Sequence, residues 1–295
     1  MKKRDLHTML QYELLILPAF LLYIVFCGFP FFHTFFYSIT NYNKYHIQDY
    51  HIVGLVNYAN VFKMSMLKLA LQNSVKYALL MTFFQSLLAI PLAVLLNRKV
   101  KMRNIYRTGF FLPAMFSPLV VGYLWNILMA PAEKGLINQF LISLGMESIS
   151  FLGSKNALNS VIFTQVWQWV GWAMVIYLAN LQNISEDILE SARIDGAGEI
   201  QTFFHIVLPH LQPGVTVVSI SSLVGGLKVF DIIQSMTKGG PGYATETIMG
   251  ALIKVGFAEG NYALAAAFGV IFFILVMLVS SILLRLLKWW ERALS

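Results

Sequence analysis

Charge is what this sequence has least of. Asp, Glu, Lys and Arg together make up 12% of its 295 residues, against about 25% in ordinary soluble domains. With 58% hydrophobic residues, too little polar surface remains to cover a water-soluble globule. Disorder is excluded as well, because disordered chains combine low hydrophobicity with high net charge. Cysteine is nearly absent. Cys27 alone, inside an apolar run, rules out a disulfide framework within the chain and any multi-cysteine zinc site. The six histidines (His7, His33, His46, His51, His205 and His210) form no H-E-x-x-H pair, so no metal site is expected. No G-x-x-x-x-G-K-[ST] loop is present to cradle nucleotide phosphates. Gly196-Ala197-Gly198 opens like a dinucleotide fingerprint, but Gln201 stands where its last glycine belongs. The apolar segments lack paired carboxylates, so an enzyme has little to stand on. A membrane protein remains.

Six stretches are long enough to cross roughly 30 Å of hydrocarbon at about 1.5 Å per helical residue. They lie near 14–38, 77–97, 108–130, 157–182, 214–234 and 262–284, which predicts an all-α, polytopic chain of six transmembrane helices, read as one membrane domain over 1–295. Inside these spans the charged residues are Lys228 and Asp231. The first span is too long for the apolar core of a cleaved signal peptide and reads as a retained helix. The net charge of +7 does not point to nucleic acid, because the basic residues sit at span edges and not in a polar stripe with stacking aromatics. Lys2, Lys3 and Arg4 precede span one. Arg98, Lys99, Lys101, Arg103 and Arg107 follow span two, and Arg285, Lys288 and Arg292 follow span six. All three clusters fall on one side, which predicts that both termini are cytoplasmic.

The cytoplasmic segment 185–209 departs from that charge pattern, with Arg193 as its one basic residue among Lys and Arg. Ser185 is a good N-cap, and Glu186 and Asp187 stand where a helix dipole favours anions. Ile184, Ile188 and Ala192 share one stripe, and Gly196 suits a left-handed turn. A second short helix is expected over Glu199–Ile206, with Pro209 ending it. The small residues Ser191, Ala192, Gly196, Ala197 and Gly198 would let another surface approach closely. A docking segment and a plain connector both fit this pattern.

Glu190-Ser191-Ala192-Arg193-Ile194-Asp195-Gly196-Ala197, followed by Phe203, Ile206 and Leu208-Pro209, resembles the E-A-A-x-x-x-G-(x)-I-x-L-P loop of ABC importer permeases, with Ser191 in place of the first alanine. Downstream, Lys228-Val229-Phe230-Asp231 and Met236-Thr237-x-Gly239-Gly240-Pro241-x-x-x-Thr245 resemble the carbohydrate branch, the maltose- and raffinose-type permeases. The likeness implies that Glu190, Ser191, Ala192, Asp195, Gly196, Ala197, Leu208 and Pro209 belong to two coupling helices between spans four and five. These would dock on an ATPase subunit. It also implies a second permease, two ATP-binding cassette ATPases that hold ATP and Mg, and a periplasmic or extracellular sugar-binding protein. The chain itself would carry no cofactor and sit in a bacterial inner or plasma membrane.

Span four carries Gln165, Gln168, Trp169 and Trp172 at i, i+3, i+4 and i+7, one face of a helix. Two amides beside two indoles suit a sugar, although anchoring or packing tryptophans are the alternative. Ser222 and Gly226 in span five lie at matching offsets from the coupling motif in the maltose-type permeases, which implies a second substrate wall. Ser219 and Gly225 share that helix, and helix packing explains such small residues equally well. Lys228 and Asp231, three apart on one expected helix, should neutralise each other as a structural pair. Ala263, Ala265, Ala267 and Gly269 form small-xxx-small pairs in span six, for a partner permease or for packing within the chain. The rival readings are a glycerol-phosphate importer, which would want more basic residues in its cavity, and an ion-gradient transporter, which would want midplane carboxylates.

Overall fold

The computed structural model describes residues 3–98, 101–131 and 134–294, with side chains from Tyr12 to Arg292. Lys2 and Lys99 of the basic clusters, and the side chains of Lys3 and Arg4, lie outside the described residues. Among those residues the chain is helical, with two isolated antiparallel bridges (Thr40–Ile52 and Asn43–His46) as its β-type pairing. The all-α expectation holds.

Four helices are long and apolar enough to cross a membrane: Tyr12–Ser38, Ser65–Asn97, Ala157–Leu181 and Tyr262–Arg292. These are expected spans one, two, four and six, with span two beginning earlier and span six running further. The first joins the later part of α1 (Lys3–Tyr23) to α2 (Phe29–Ser38), and a short α3 (Val56–Lys63) precedes α4 (Ser65–Asn97). Span three is bent, which the sequence reading missed, and the segment before span five meets it at an angle. In span three, Arg103–Met115, which includes α5 (Arg103–Phe111), meets α6 (Pro118–Leu128) at 97°. Pro118 has no N–H to give and pushes Ser117 into extended backbone, at φ −59° and ψ 136°. After α7 (Leu136–Ser143) and α8 (Ala157–Leu181) come α9 (Glu186–Ile194), α10 (Glu199–Thr202) and α11 (Leu208–His210). In span five, Glu199–His210 meets α12 (Gln212–Leu227) at 64°. Six spans result when each bent pair is taken as one.

The second short helix ends at His210, one residue beyond the expected Pro209, where the chain bends into α12. A π-turn over Phe203–Val207 runs straight into α11, with the Leu208 N–H bonded to the Phe203 carbonyl. A proline ring clashes with the carbonyl four residues back, and the wider turn relieves that clash. Ile24–Gly28 is a second π-turn, just before Pro30. The same remedy recurs at both prolines.

Contacts group the chain into two compact units, Met1–Met64 with Leu252–Phe273, and Ser65–Ala251 with Ile274–Ser295. In the first unit, Asn57 Nδ2 donates to the carbonyls of Ser38 and Thr40 at 2.9 and 2.7 Å. Ala263 and Ala267 of α15 (Tyr262–Leu294) are buried there, so those members of the span-six stripe pack within the chain. In the second unit α8 is the central helix, packed on both α4 and α12. Two apolar clusters surround it. One holds Ala89, Ala93, Met174, Tyr177, Leu211 and Val218. The other holds Tyr77, Val121, Val161, Val166 and Ile232, the last from α13 (Asp231–Met236). The short α14 (Ile248–Ile253) follows.

Gly171 permits the approach of the bent span to α8. A Cβ there would stand 1.9 Å from the Phe110 carbonyl oxygen, a backbone atom with no flexible way out. Gly171→Ala should therefore cost about 1–3 kcal/mol of stability, whereas Gly225→Ala, with open space around its Cβ, should cost almost nothing. Thermal unfolding of the detergent-purified variants measures the contrast.

Candidate functional site

A cavity of about 310 Å³ opens within the second unit. Gln165, Trp169 and Trp172 of α8 line it together with Ser222, Gly225 and Gly226 of α12. Of the six residues expected to meet a substrate, five are therefore brought together. The indoles meet edge to face at 6.2 Å and 86°. Trp172 packs against the first apolar cluster and Trp169 against the second, so each ring is fixed at its back. Gly226 also lets α12 approach α4, because a Cβ there would lie 2.8 Å from the Ala78 Cα.

Gln168 is the exception. It is fully buried and points away from the cavity lining, and its Nε2 donates to the Phe116 carbonyl at 2.9 Å. Phe116 sits at the break before Pro118, where the helix supplies no donor for that oxygen. The helical spacing was right, but this amide satisfies the broken backbone and is corrected from a substrate contact to a structural one. Gln165, 8% exposed, lines the cavity and has no partner at its buried Oε1. An acceptor of this kind is costly unless something donates to it.

Gln85 was missed. It is 1% exposed, lines the cavity from α4, and joins three helices. Its Nε2 donates to the Trp169 carbonyl at 3.0 Å, and its Oε1 accepts the Ser222 hydroxyl at 2.7 Å. An amide in the middle of an apolar run was the available signal, since hydrocarbon tolerates such a group only with a partner.

Lys228 and Asp231 do not form the expected ion pair. The salt bridge given for the described residues joins Arg98 to Glu199 and does not involve Lys228 or Asp231. The reason is local. Helix α12 ends at Leu227 and α13 begins at Asp231, with Lys228 at φ −92°, ψ 8° between them. The i, i+3 rule needs one continuous helix. Both side chains are exposed and line the cavity.

The segment after α8 follows the expected pattern closely. Ser185 is the N-cap of α9 by position, although its side chain makes no capping bond. Gly196 takes φ +79°. The Ala197 N–H reaches the Ala192 carbonyl at 2.9 Å and the Gly196 N–H reaches that of Arg193 at 3.1 Å, which is the Schellman arrangement. Glu190, Ser191, Asp195 and Gly196 are exposed, Ala192 is buried, and Ala197, Leu208 and Pro209 are half-buried. Ile194, Ile200 and Phe204 are exposed as well. Arg98 at the end of α4 bonds Glu199 at 2.9 Å and holds its carboxyl below the usual carboxylate range.

The glycine-proline segment makes a closed turn. The Thr237 and Thr245 hydroxyls meet at 2.6 Å, and Thr245 Oγ1 lies 2.9 Å from the Gly240 carbonyl. Asn73 of α4 donates to the carbonyls of Tyr243 and Glu246, and Ser74 accepts the Ile248 N–H.

A family model described as the inner membrane component of binding-protein-dependent transport systems matches residues 69–292. The chain belongs to this family. It is 33% identical over 282 residues to the multiple sugar-binding transport system permease protein MsmF of Streptococcus mutans, covering 94% of each chain. It is 29% identical over 273 residues to the sn-glycerol-3-phosphate transport system permease protein UgpA of Salmonella choleraesuis, covering 92% of each. A solved structure of a bacterial ABC transporter involved in alginate import matches 97% of both chains at a TM-score of 0.83 and 21% identity, a likeness of fold.

For this transport component the two span-four amides should behave differently. Gln168→Leu leaves the Phe116 carbonyl without its donor and should cost about 1–3 kcal/mol of stability. Gln165→Leu removes an unpartnered acceptor and should leave stability unchanged or higher. Thermal unfolding of both purified variants tests the assignment.

Proposed function

We propose that this chain is one permease subunit of an ATP-driven carbohydrate importer, forming half of the translocation pathway. The observation that carries the reading is the cavity wall in which Trp169 and Trp172 stand beside the Gln165 amide. Indole faces cover the apolar C–H face of a sugar, and an amide bonds its hydroxyls. A second permease would complete the pathway, and an external binding protein would deliver the sugar.

The 185–211 segment would be the docking face for an ATPase subunit. Its support is an apolar surface of Ile194, Ile200 and Phe204 exposed around the Gly196 turn, tied to α4 through Arg98–Glu199. With docking at the basic flank of α4, this end and both termini would lie in the cytoplasm. Closure of two ATPases would move the segment, and α12, continuous with it across one bend, would carry that motion to Ser222 and Gly226. ATP and Mg belong to those partner subunits.

A glycerol-phosphate substrate fits the cavity less well. A phosphate favours several cationic donors, and the lining offers Lys228 with the Asp231 carboxylate beside it. A neutral polyol meets no such repulsion.

Two substitutions test the two halves of this reading in the reconstituted complex. Trp172→Ala should raise the KM for sugar uptake by about tenfold, the equivalent of roughly 1.4 kcal/mol of lost contact. An unchanged KM would mean that this face is packing surface. Gly196→Asp puts a side chain at a left-handed position, strained by roughly 1–2 kcal/mol, and adds a carboxylate beside Asp195. It should abolish sugar-stimulated ATP hydrolysis while the protein stays in the membrane. Wild-type stimulation would remove the docking assignment.

A further inference from the structure

The hydrogen bonds around Gln85 have only one possible direction. The Trp169 carbonyl can only accept, so the Gln85 atom 3.0 Å from it is the amide nitrogen. That fixes the rotation of the amide and leaves Oε1 facing Ser222, an atom that can also only accept. Ser222 must then spend its single O–H on Gln85, at 2.7 Å. What Ser222 has left for the cavity is lone pairs. The backbone of α8 thus dictates, through one side chain of α4, the hydrogen-bonding sense of a residue on α12.

We propose that Gln85 is a positioning residue that turns Ser222 into a hydrogen-bond acceptor, so that the cavity selects ligands by the hydroxyl protons they donate. Asp231, which also lines the cavity, presents a carboxylate that agrees with this polarity, and Lys228 is the charged donor of the same lining. A polyol supplies donors to both acceptors. A fully ionised phosphate, whose oxygens only accept, leaves them unmet, and a sugar with fluorine in place of one hydroxyl lacks the donor at that position. The inference rests on the reading of this cavity as the sugar site and adds which side of each hydrogen bond the ligand provides.

The test uses the complete importer in proteoliposomes, offered a mixture of maltotriose, arabinotriose and raffinose. The trisaccharide that accumulates is then replaced by its monodeoxyfluoro series, in which fluorine cannot donate. In the wild type at least one position should show a KM raised about tenfold, the size expected when a buried acceptor loses its donor. Gln85→Met keeps the length of the side chain and frees the Ser222 hydroxyl to turn into the cavity. It should reduce that penalty to within about twofold while the maximal rate for the parent sugar changes less than its KM. Ser222→Ala should remove the same penalty, and the double variant should do no more than either alone, as coupled sites do. If Gln85→Met fails to assemble, the Ser222→Ala result decides alone. A penalty that persists in Ser222→Ala, or additive losses in the double variant, overturns the inference. Trp172→Ala separates the two levels. A raised KM there with unchanged fluorine penalties in the Gln85 and Ser222 variants refutes the positioning role alone. Unchanged KM in Trp172→Ala, or uptake of none of the three sugars, refutes the site reading beneath it.

Discussion

Everything in the second unit depends on how backbone broken inside an apolar layer finds its hydrogen bonds. Hydrocarbon offers none, so each freed carbonyl needs a donor from the protein. Helix α8 is where these demands meet. Two thirds of its apolar window is buried (67%), against 28% for α4 and 17% for the last span, so protein and not lipid surrounds it. From that position Gln168 reaches the Phe116 carbonyl at the break in span three. Asn126 of α6 gives its Nδ2 to the Met236 carbonyl at the end of α13. The amides are few, and each one described here has a backbone duty or faces the cavity.

That constraint also makes the cavity. Because α12 stops at Leu227, the chain turns away and leaves a hollow beside Trp169, Ser222 and Gly225. A straight fifth helix would have set Lys228 and Asp231 on one face and closed them on each other. With the break, both open onto the hollow. The glycine-proline turn, closed by Thr237 and Thr245 and tied to α4 by Asn73, holds the chain after α13 in place.

The sequence carried more about periodic features than about interruptions. Spans one, two, four and six were legible as long apolar runs, because length and hydropathy alone define them. Gly196 was legible too, since one residue type so often fills a left-handed helix end. Pro118 was not legible in effect. It breaks a span by 97°, whereas Pro91 sits inside α4 without ending it, and that choice depends on neighbours that a single segment does not reveal. The span-four face was found from its spacing, yet spacing could not tell Gln165, which faces the cavity, from Gln168, which serves a carbonyl far away in sequence. Gln85 lay hidden because its hydrogen-bond partners are not on its own helix. Its partners come from α8 and α12, and only the packed bundle brings them to it.

The central claim is that the hollow between α8 and α12 is the path a sugar takes. Gly225 allows a direct measurement, because it lines the hollow, is exposed, and has open space where a side chain would go. With Cys27 replaced by serine, Gly225→Cys gives a single thiol in the chain, whose maleimide labelling in the reconstituted importer reports access to the site. The account predicts labelling in the absence of sugar and strong protection once the transported trisaccharide is delivered by its binding protein. Labelling that proceeds at the same rate while the sugar is being transported would contradict it.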